Sequence, residues 1–304
     1  MGGLLSVLAQ ATPLGLDAAP AIVRKLPFLW PEIALFLGTC VVTVLGLSPV
    51  RGMRRACAAV CVVTLVIAGA LAAVGPTPEF SAFPGMAAFV KVLVAAVGVL
   101  LILLLTGTVD REYEAAVARG VKFDAIRSTR GEFYAFAMFS LTGLMLCASA
   151  DDLIWLFLAL ELTSLPTYVM VSISTARSKS QEAGIKYFFL GALGAAMFLY
   201  GFALIYGATG TTLLFGDGET PGVAEVFAEH GVGTIGTVGL IVALVGLCFK
   251  IAAAPMHYYT PDVYEGAATS VSAFLAFVPK AAGFVAIILV LSAVGWDFGA
   301  SGAS

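Results

Sequence analysis

The segment from Leu153 to Ser174 reads LIWLFLALELTSLPTYVMVSIS and carries a single charged side chain, that of Glu161. A membrane-spanning helix needs about 20 mainly apolar residues, and the segment meets that length. It lacks the alternation of apolar and polar residues that marks a barrel strand. The segment therefore predicts a transmembrane helix with a carboxyl group near its middle.

Seven other long apolar runs occur along the chain. Only helices and closed barrels satisfy their backbone polar groups in lipid, and runs of this length favour helices. We therefore predict an all-α integral membrane protein with about eight transmembrane helices. In chain order the runs are Pro27–Leu47, Ala56–Val74, Pro84–Thr108, Gly131–Ala148, Leu153–Ser174, Gly184–Gly207, Ile235–Ala254 and Ser270–Val294.

The composition fits a lipid environment. The chain has 304 residues, of which 60% are hydrophobic and 12% charged, and its mean hydropathy is +1.01. Soluble domains carry about 25% charged residues, so this chain has too little polar surface for a water-soluble globule. The lysines and arginines form no basic stripe, so no nucleic-acid partner is predicted. The cysteines lie inside apolar runs and are read as packing residues, with no metal site.

Basic residues mark one side of the predicted bundle. They cluster in the loops after the first, third and fifth runs, whereas the other side carries only Arg24 and Lys25 before the first run. Cytoplasmic loops are enriched in lysine and arginine, so we predict a multi-pass protein of the cytoplasmic (inner) membrane with its N-terminus outside. Met1–Pro20 has no positive n-region and is read as a short extramembrane or interfacial lead-in. The clustered residues are Arg51, Arg54, Arg55, Arg111, Arg119, Lys122, Arg127, Arg130, Arg177 and Lys179.

Three ionisable side chains fall deep inside apolar runs, and they are Glu161, Lys250 and Lys280. A charge at the membrane centre costs at least about 2.5–3.5 kcal/mol, so such residues are usually paired and functional. Proline follows Lys250 at position 255 and precedes Lys280 at position 279. We expect both prolines to interrupt their helices, because broken helices line ion sites in transporters.

Other ionisable residues have more than one interpretation. His257 is either a proton relay between the two lysine-bearing helices or an interfacial residue that donates one hydrogen bond. Lys186 either extends to the surface or faces Glu161 inside the bundle. Lys91 is expected to extend to the outer surface, and Glu32 to be stabilised by its place at a helix N-terminus.

Short motifs in the second half of the chain resemble, in order, subunit N of NADH-quinone oxidoreductase. ELTSLPTYV at 161–169 resembles the fifth helix of that family, and EAGIKYFFLGA at 182–192 resembles the sixth. The resemblance covers most of Gly131–Ala282, whereas Met1–Arg130 matches mainly in hydropathy. Further matches are EFY at 132–134, LYG at 199–201, YGATG at 206–210, FK at 249–250, APMH at 254–257, PDVY at 261–264 and PK at 279–280.

The resemblance implies an antiporter-like subunit in the proton-translocating membrane arm of respiratory complex I. Glu161, Lys250 and Lys280 would then carry protons, with Lys186 associated with the pathway, and His257 stays a candidate relay on its position alone. The fourth to eighth helices would form one five-helix repeat with broken helices. NADH, FMN, iron–sulfur clusters and quinone are implied only in partner subunits, and this chain would hold no cofactor and no metal. Its partners would be other membrane-arm subunits and the lipid bilayer.

The resemblance also divides the chain. Residues 1–130 would be the lead-in and first three helices, 131–294 the proton-translocating repeat, and 295–304 a short tail. Family members continue into a second repeat, so we expect either an incomplete gene product or a partner chain that supplies this half.

Other functions remain open on the sequence. A subunit of a multi-chain sodium/proton antiporter or of a membrane hydrogenase would use the same module. A scaffold that moves no ions is a third reading, although buried Glu161, Lys250 and Lys280 argue against it. A solute carrier is weaker still, because nothing in the sequence indicates a substrate pocket.

Overall fold

The computed structural model describes residues 26–76, 84–175, 177–216, 218 and 220–295. This part of the chain contains eleven α-helices, joined by turns, short loops and two 3-10 turns, Leu26–Leu29 and Ala125–Arg127. The predicted lead-in and nearly all of the predicted tail lie outside it. The helices are α1 Trp30–Gly46, α2 Arg51–Val74, α3 Pro84–Leu104, α4 Arg111–Ala118, α5 Arg130–Ala148, α6 Leu153–Ile173, α7 Ser178–Thr209, α8 Val223–His230, α9 Gly233–Ile251, α10 Thr260–Gly266 and α11 Thr269–Val294.

The prediction of an all-helical membrane protein is confirmed. Eight helices are long and apolar enough to cross a membrane, namely α1, α2, α3, α5, α6, α7, α9 and α11. Their limits differ most from the predicted runs in the second run, where α2 begins at Arg51, in the third, where α3 ends at Leu104, and in the sixth, where α7 extends from Ser178 to Thr209. The predicted limits mark the ends of apolar sequence, whereas the observed limits mark the ends of helical backbone hydrogen bonding. The predicted and observed limits therefore need not coincide.

Helix α5 is the centre of the bundle and contacts α1, α2, α3, α6 and α11. In α5, 78% of the membrane-length segment is buried, against 33% in α1. Because α5 faces protein rather than lipid, it can carry Ser140 and Thr142, whose hydroxyls donate to backbone carbonyls. At its start, Gly131 meets Gly46 of α1 so closely that a Cβ on Gly46 would lie 2.3 Å from the Gly131 Cα. The packing is therefore continuous across position 130, and the domain division stays a prediction.

Helix α6 runs without interruption through Pro166. Proline lacks the N–H that would bind the carbonyl of Leu162, and such losses are tolerated where neighbouring helices and hydroxyls supply other bonds. Ser140 of α5 donates to the neighbouring carbonyl of Thr163 over 2.6 Å. At the other end, the Asp152 carboxylate caps the helix by accepting from the N–H groups of Ile154 and Trp155.

The two predicted helix interruptions have different outcomes. Helix α9 ends at Ile251, immediately after Lys250, because Ala252 adopts a left-handed conformation with φ 55°. Turns and the short helix α10 then lead to α11. The prediction for Pro279 was wrong, since α11 continues through it from Thr269 to Val294. A proline inside a transmembrane helix costs one backbone bond but does not by itself end the helix when its neighbours hold the backbone in place.

Candidate functional site

Glu161 and Lys250 form an ion pair inside the bundle. The Lys250 Nζ lies 2.9 Å from Oε1 of Glu161, and it also donates to the Oγ of Ser164 over 2.7 Å. The Lys250 side chain is 3% exposed and that of Glu161 is 16% exposed. The carboxylate is thus the more accessible partner, while the ammonium is almost fully enclosed.

The local structure explains how these groups meet. Glu161 and Ser164 are three residues apart on α6, which places them on one helix face. Lys250 stands in the last turn of α9, where the helix dipole favours a positive charge. Next to it, the Tyr259 hydroxyl donates to the carbonyl of Phe249 over 2.9 Å and so ties the end of α9 to the segment that follows.

An aromatic ring and a neighbouring helix also border the Lys250 side chain. Its Nζ lies 5.4 Å from the centre of the Phe198 ring, within the range of a cation–π contact. Across the helix interface, a Cβ on Gly283 of α11 would come within 3.1 Å of the Lys250 Cβ. Removal of one partner from a buried ion pair is strongly destabilising, because the other charge is left uncompensated. The protonation of one group therefore depends on the state of the other.

A small cavity joins Lys250 to Lys280. The cavity volume that is available to the centre of a water molecule is about 10 Å³. Both lysines line the cavity, together with Tyr187, Tyr259, Thr260 and Tyr264. That space is close to the minimum for one water molecule, about 10–15 Å³. The buried Thr260 Oγ1 and Tyr264 hydroxyl have no hydrogen-bond partner among the described residues. Both would be satisfied by a water molecule in the cavity.

The five predicted site residues fall into two groups. Glu161 and Lys250 are in contact, and Lys280 shares the cavity, with its Nζ 5.7 Å from the centre of the Tyr264 ring. Lys186 and His257 lie elsewhere, and the exposed side chain of His257 is in the turn after α9.

Of the two readings of Lys186, the surface position is the one observed. Its ammonium lies 2.8 Å from Glu182 and 2.9 Å from Asp262, and the side chain is 44% exposed. Asp262 belongs to the first turn of α10. Lys186 therefore links α7 to the short helix after the break in α9, rather than facing Glu161.

The interpretation of Lys91 as a surface residue was wrong, whereas Glu32 does lie in the first turn of α1. Lys91 Nζ lies 2.8 Å from Oε1 of Glu32, and the two side chains are only 6% and 4% exposed. Lys91 stays inside because the bundle offers its ammonium two acceptors, Glu32 and the carbonyl of Phe28. The sequence carries little signal for this pair, since its members are on separate helices. Ser164, by contrast, could have been found from its spacing to Glu161.

Comparison with known families identifies the second half of the chain. The family model described as NADH:quinone oxidoreductase/Mrp antiporter, TM matches residues 150–298, which include Glu161, Lys250 and Lys280. This part of the chain is therefore similar to that membrane family. The matched region runs from just before α6 to beyond the end of α11.

Curated relatives carry the resemblance further. NADH-quinone oxidoreductase subunit N 1 of Acidiphilium cryptum is 46% identical over 178 residues, covering 58% of this chain and 36% of that protein. Subunit N of Cutibacterium acnes is 36% identical, with 98% of this chain and 59% of that protein covered. The chain thus spans between about a third and three fifths of the length of these relatives.

The fold matches a solved respiratory complex. A chain of respiratory complex I from Thermus thermophilus superposes with a TM-score of 0.63 and 30% identity, over 86% of this chain and 53% of that one. The resemblance to subunit N expected from the sequence motifs is confirmed by these matches.

Proposed function

We propose that this chain moves protons as an antiporter-like membrane subunit of an NADH-quinone oxidoreductase. The Glu161–Lys250 pair carries the proposal, because a buried carboxylate and ammonium in contact form a unit whose protonation changes with its geometry. Similarity to subunit N and to a chain of complex I supports the assignment.

The geometry suggests one order of events. While the pair is closed, the Glu161 carboxylate compensates the charge of the Lys250 ammonium. When the carboxylate turns away, the enclosed ammonium becomes an isolated charge, and release of its proton removes that charge. A water molecule in the adjoining cavity accepts the proton and passes it to the Lys280 side chain once Lys280 has released its own proton. Lys186 and His257 lie outside this contact and remain predicted members of the pathway.

The wider setting is part of the same proposal. The loops rich in lysine and arginine face the cytoplasm, and the N-terminus faces outward across the inner membrane. Other membrane-arm subunits are the partners. NADH, FMN, iron–sulfur clusters and quinone belong to partner subunits, where the redox reaction takes place. This chain contributes to the translocase without a redox site of its own.

NADH-driven proton pumping in membrane vesicles tests the proposal, with the chain assembled in its complex. We expect Glu161→Ala and Lys250→Ala to abolish most of the pumping, because the remaining partner is left uncompensated at a cost of about 3–5 kcal/mol. Glu161→Asp should retain part of it, since the charge survives on a shorter side chain. Lys280→Ala should also impair pumping by removing the next proton acceptor.

Lys179→Ala is the matched control, because Lys179 forms an ion pair with Glu265 that is exposed on both sides. Assembly of the complex is measured separately, since loss of the complex would imitate loss of pumping. Normal pumping by an assembled Glu161→Ala or Lys250→Ala variant would favour a scaffold. The family also includes Mrp antiporters, so sodium-driven proton exchange without dependence on NADH would assign the chain to an antiporter instead.

A further inference from the structure

Glu32 and Lys91 form a second buried ion pair, in the three helices before the matched family region. Glu32 is in the first turn of α1, and Lys91 is in the first half of α3. Their charged atoms are 2.8 Å apart, with both side chains almost fully enclosed. Ser149, just after α5, donates to the same Glu32 Oε1 over 3.3 Å, and Lys91 also donates to the carbonyl of Phe28 over 2.8 Å.

The pair is incompletely satisfied by the protein. Glu32 Oε1 accepts from Lys91 and Ser149, whereas Oε2 is buried without a hydrogen-bond partner among the described residues. An ammonium has three donors, and two acceptors for Lys91 are observed. Buried polar atoms that lack a protein partner commonly bind ordered water.

A cavity beside Lys91 provides space for such water. The cavity volume that is available to the centre of a water molecule is about 20 Å³. This volume exceeds the minimum of about 10–15 Å³ that one water molecule needs. The cavity lining comes from the 3-10 turn before α1, the beginnings of α1 and α3, and the end of α2 with the two residues that follow it, and includes Phe28, Gly75, Pro76, Ala88 and Lys91. The cavity is therefore at one end of the bundle, not at its middle.

That end is opposite the arginine-rich loops. Glu32 is at the start of α1, whereas Arg51 and Arg54 follow the end of α1. A helix rises about 1.5 Å per residue, so the 17 residues of α1 separate the two ends by about 25 Å. The pair is on the side that the positive-inside rule assigns to the outer aqueous phase.

We propose that Glu32 and Lys91 form a hydrated proton-exchange site on the outer side of this chain. Water in the cavity binds at the remaining donor of Lys91, and Lys91 connects that water to the Glu32 carboxylate. Transfer of a proton from the ammonium to the carboxylate gives a neutral amine and a neutral acid, and the cavity water exchanges protons between this pair and the aqueous phase. The proposal rests on the proposed function and extends proton handling to a part of the chain outside residues 150–298.

The competing explanation is a purely structural clamp, in which the ion pair only holds α1 and α3 together. Proton exchange and a structural clamp predict different effects of substitutions. A buried ion pair stabilises a fold poorly, since apolar residues of similar volume are often as good or better. If the pair is only a clamp, Lys91→Met and Glu32→Gln each harm assembly, and the double variant restores assembly with normal pumping. If it exchanges protons, the double variant assembles and oxidises NADH but pumps fewer protons per NADH.

The control for the double variant is Lys179→Met with Glu265→Gln, which makes the same substitutions in an exposed ion pair and should leave pumping unchanged. Normal pumping by the assembled Glu32→Gln, Lys91→Met variant overturns proton exchange, provided that Glu161→Ala loses pumping in the same assay. If Glu161→Ala also pumps normally, the proposed function is rejected. The accessibility of the cavity then still tests, independently of pumping, whether the Glu32–Lys91 site is hydrated.

Accessibility is measured by cysteine labelling with a membrane-impermeant thiol reagent. Ala88 lines the cavity, whereas Ala95, seven residues further along α3, packs against Gly69 and is buried. We expect Ala88→Cys to be labelled above the background of the unsubstituted chain, from one side of the membrane only, and Ala95→Cys to remain unlabelled. The same labelling should persist in a Glu161→Ala background. Absence of labelling at Ala88→Cys overturns the proposal.

Discussion

Ser164 completes the environment of the Lys250 ammonium. Its hydroxyl accepts from Lys250 over 2.7 Å and donates to the carbonyl of Leu160 over 2.9 Å. A hydroxyl can do both at once, whereas a second carboxylate would place two negative charges on one lysine. Ser164 thus supplies a neutral partner that remains in place when Glu161 moves.

Ser164→Ala should reduce proton pumping less than Glu161→Ala does. The substitution removes one of two partners of Lys250 but keeps the charge of the carboxylate. The loss of one buried hydrogen bond costs about 1–3 kcal/mol, compared with about 3–5 kcal/mol for an unpaired buried charge. The measurement is NADH-driven pumping by the assembled complex.

Ser172→Ala is the control for that experiment. Ser172 is also on α6, and its hydroxyl donates to the carbonyl of Tyr168 over 3.2 Å. It makes no contact with Lys250, so its removal should leave pumping near normal. An equal loss in both variants would show that the Ser164 effect arises from the helix backbone and not from Lys250.

At the scale of elements, a buried arginine is one of the contacts that attach helix α4 to the bundle. Arg54 is completely buried at the start of α2, and it donates to both carboxylate oxygens of Glu114, over 2.6 and 3.1 Å. Its guanidinium also lies 4.0 Å from the centre of the Phe123 ring, in the loop after α4. The hydrogen bond from Arg54 is the main cause that holds the pKa of Glu114 below its usual value.

The attachment of α4 should therefore weaken in acid. A carboxylate with a lowered pKa contributes stability above its unfolded pKa of about 4.3, and that stability is lost as the pH falls through the folded value. Glu114→Gln should loosen α4 at neutral pH already, by about 3–5 kcal/mol, since it leaves Arg54 buried without a counter-charge. Hydrogen–deuterium exchange of residues 111–127 measures the effect.

In the unsubstituted chain the protection factors of residues 111–127, which correct for the pH dependence of intrinsic exchange, should stay high at neutral pH and fall only in acid. Glu112→Gln is the control, because Glu112 is exposed on the same helix. Slow exchange of residues 111–127 in Glu114→Gln at neutral pH would show that other contacts hold α4.

The sequence predicted correctly those features that depend on the residues of a single helix. Apolar length is a local property, so the eight spans could be found, and Glu161 and Lys250 were conspicuous as charges within them. Most contacts that depend on packing between helices could not be found. Arg54 was counted as a loop charge, although it is enclosed by Glu114 and Phe123, which are distant in the sequence. For the same reason the α9 break was anticipated only in part, since Ala252 and Tyr259 set it rather than proline alone.

The whole molecule has a predicted orientation. Arg119 lies after α4, on the side that carries the clustered basic residues. If these residues face the cytoplasm, a cysteine in place of Arg119 should be labelled in inside-out vesicles and not in intact cells by an impermeant thiol reagent. A cysteine in place of Glu229, in exposed α8, is the counterpart on the other side. Labelling of Arg119→Cys in intact cells would reverse the topology.

The contact between α7 and α9 has a mechanical consequence. A Cβ on Gly201 would lie 2.4 Å from the backbone nitrogen of Ala243, and one on Gly246 would lie 2.5 Å from that of Phe198. Two helices whose backbones are in contact cannot slide or roll past each other without opening a void, so α7 and α9 should move together as one rigid unit. Lys250 is in the last turn of α9, at one end of this rigid unit, and the non-helical turn after Ile251 can act as a hinge for the segment that follows. Because Lys250 precedes this turn, any displacement of its ammonium relative to α7 and α9 must come from the lysine side chain, whereas movement at the turn displaces the segment that follows.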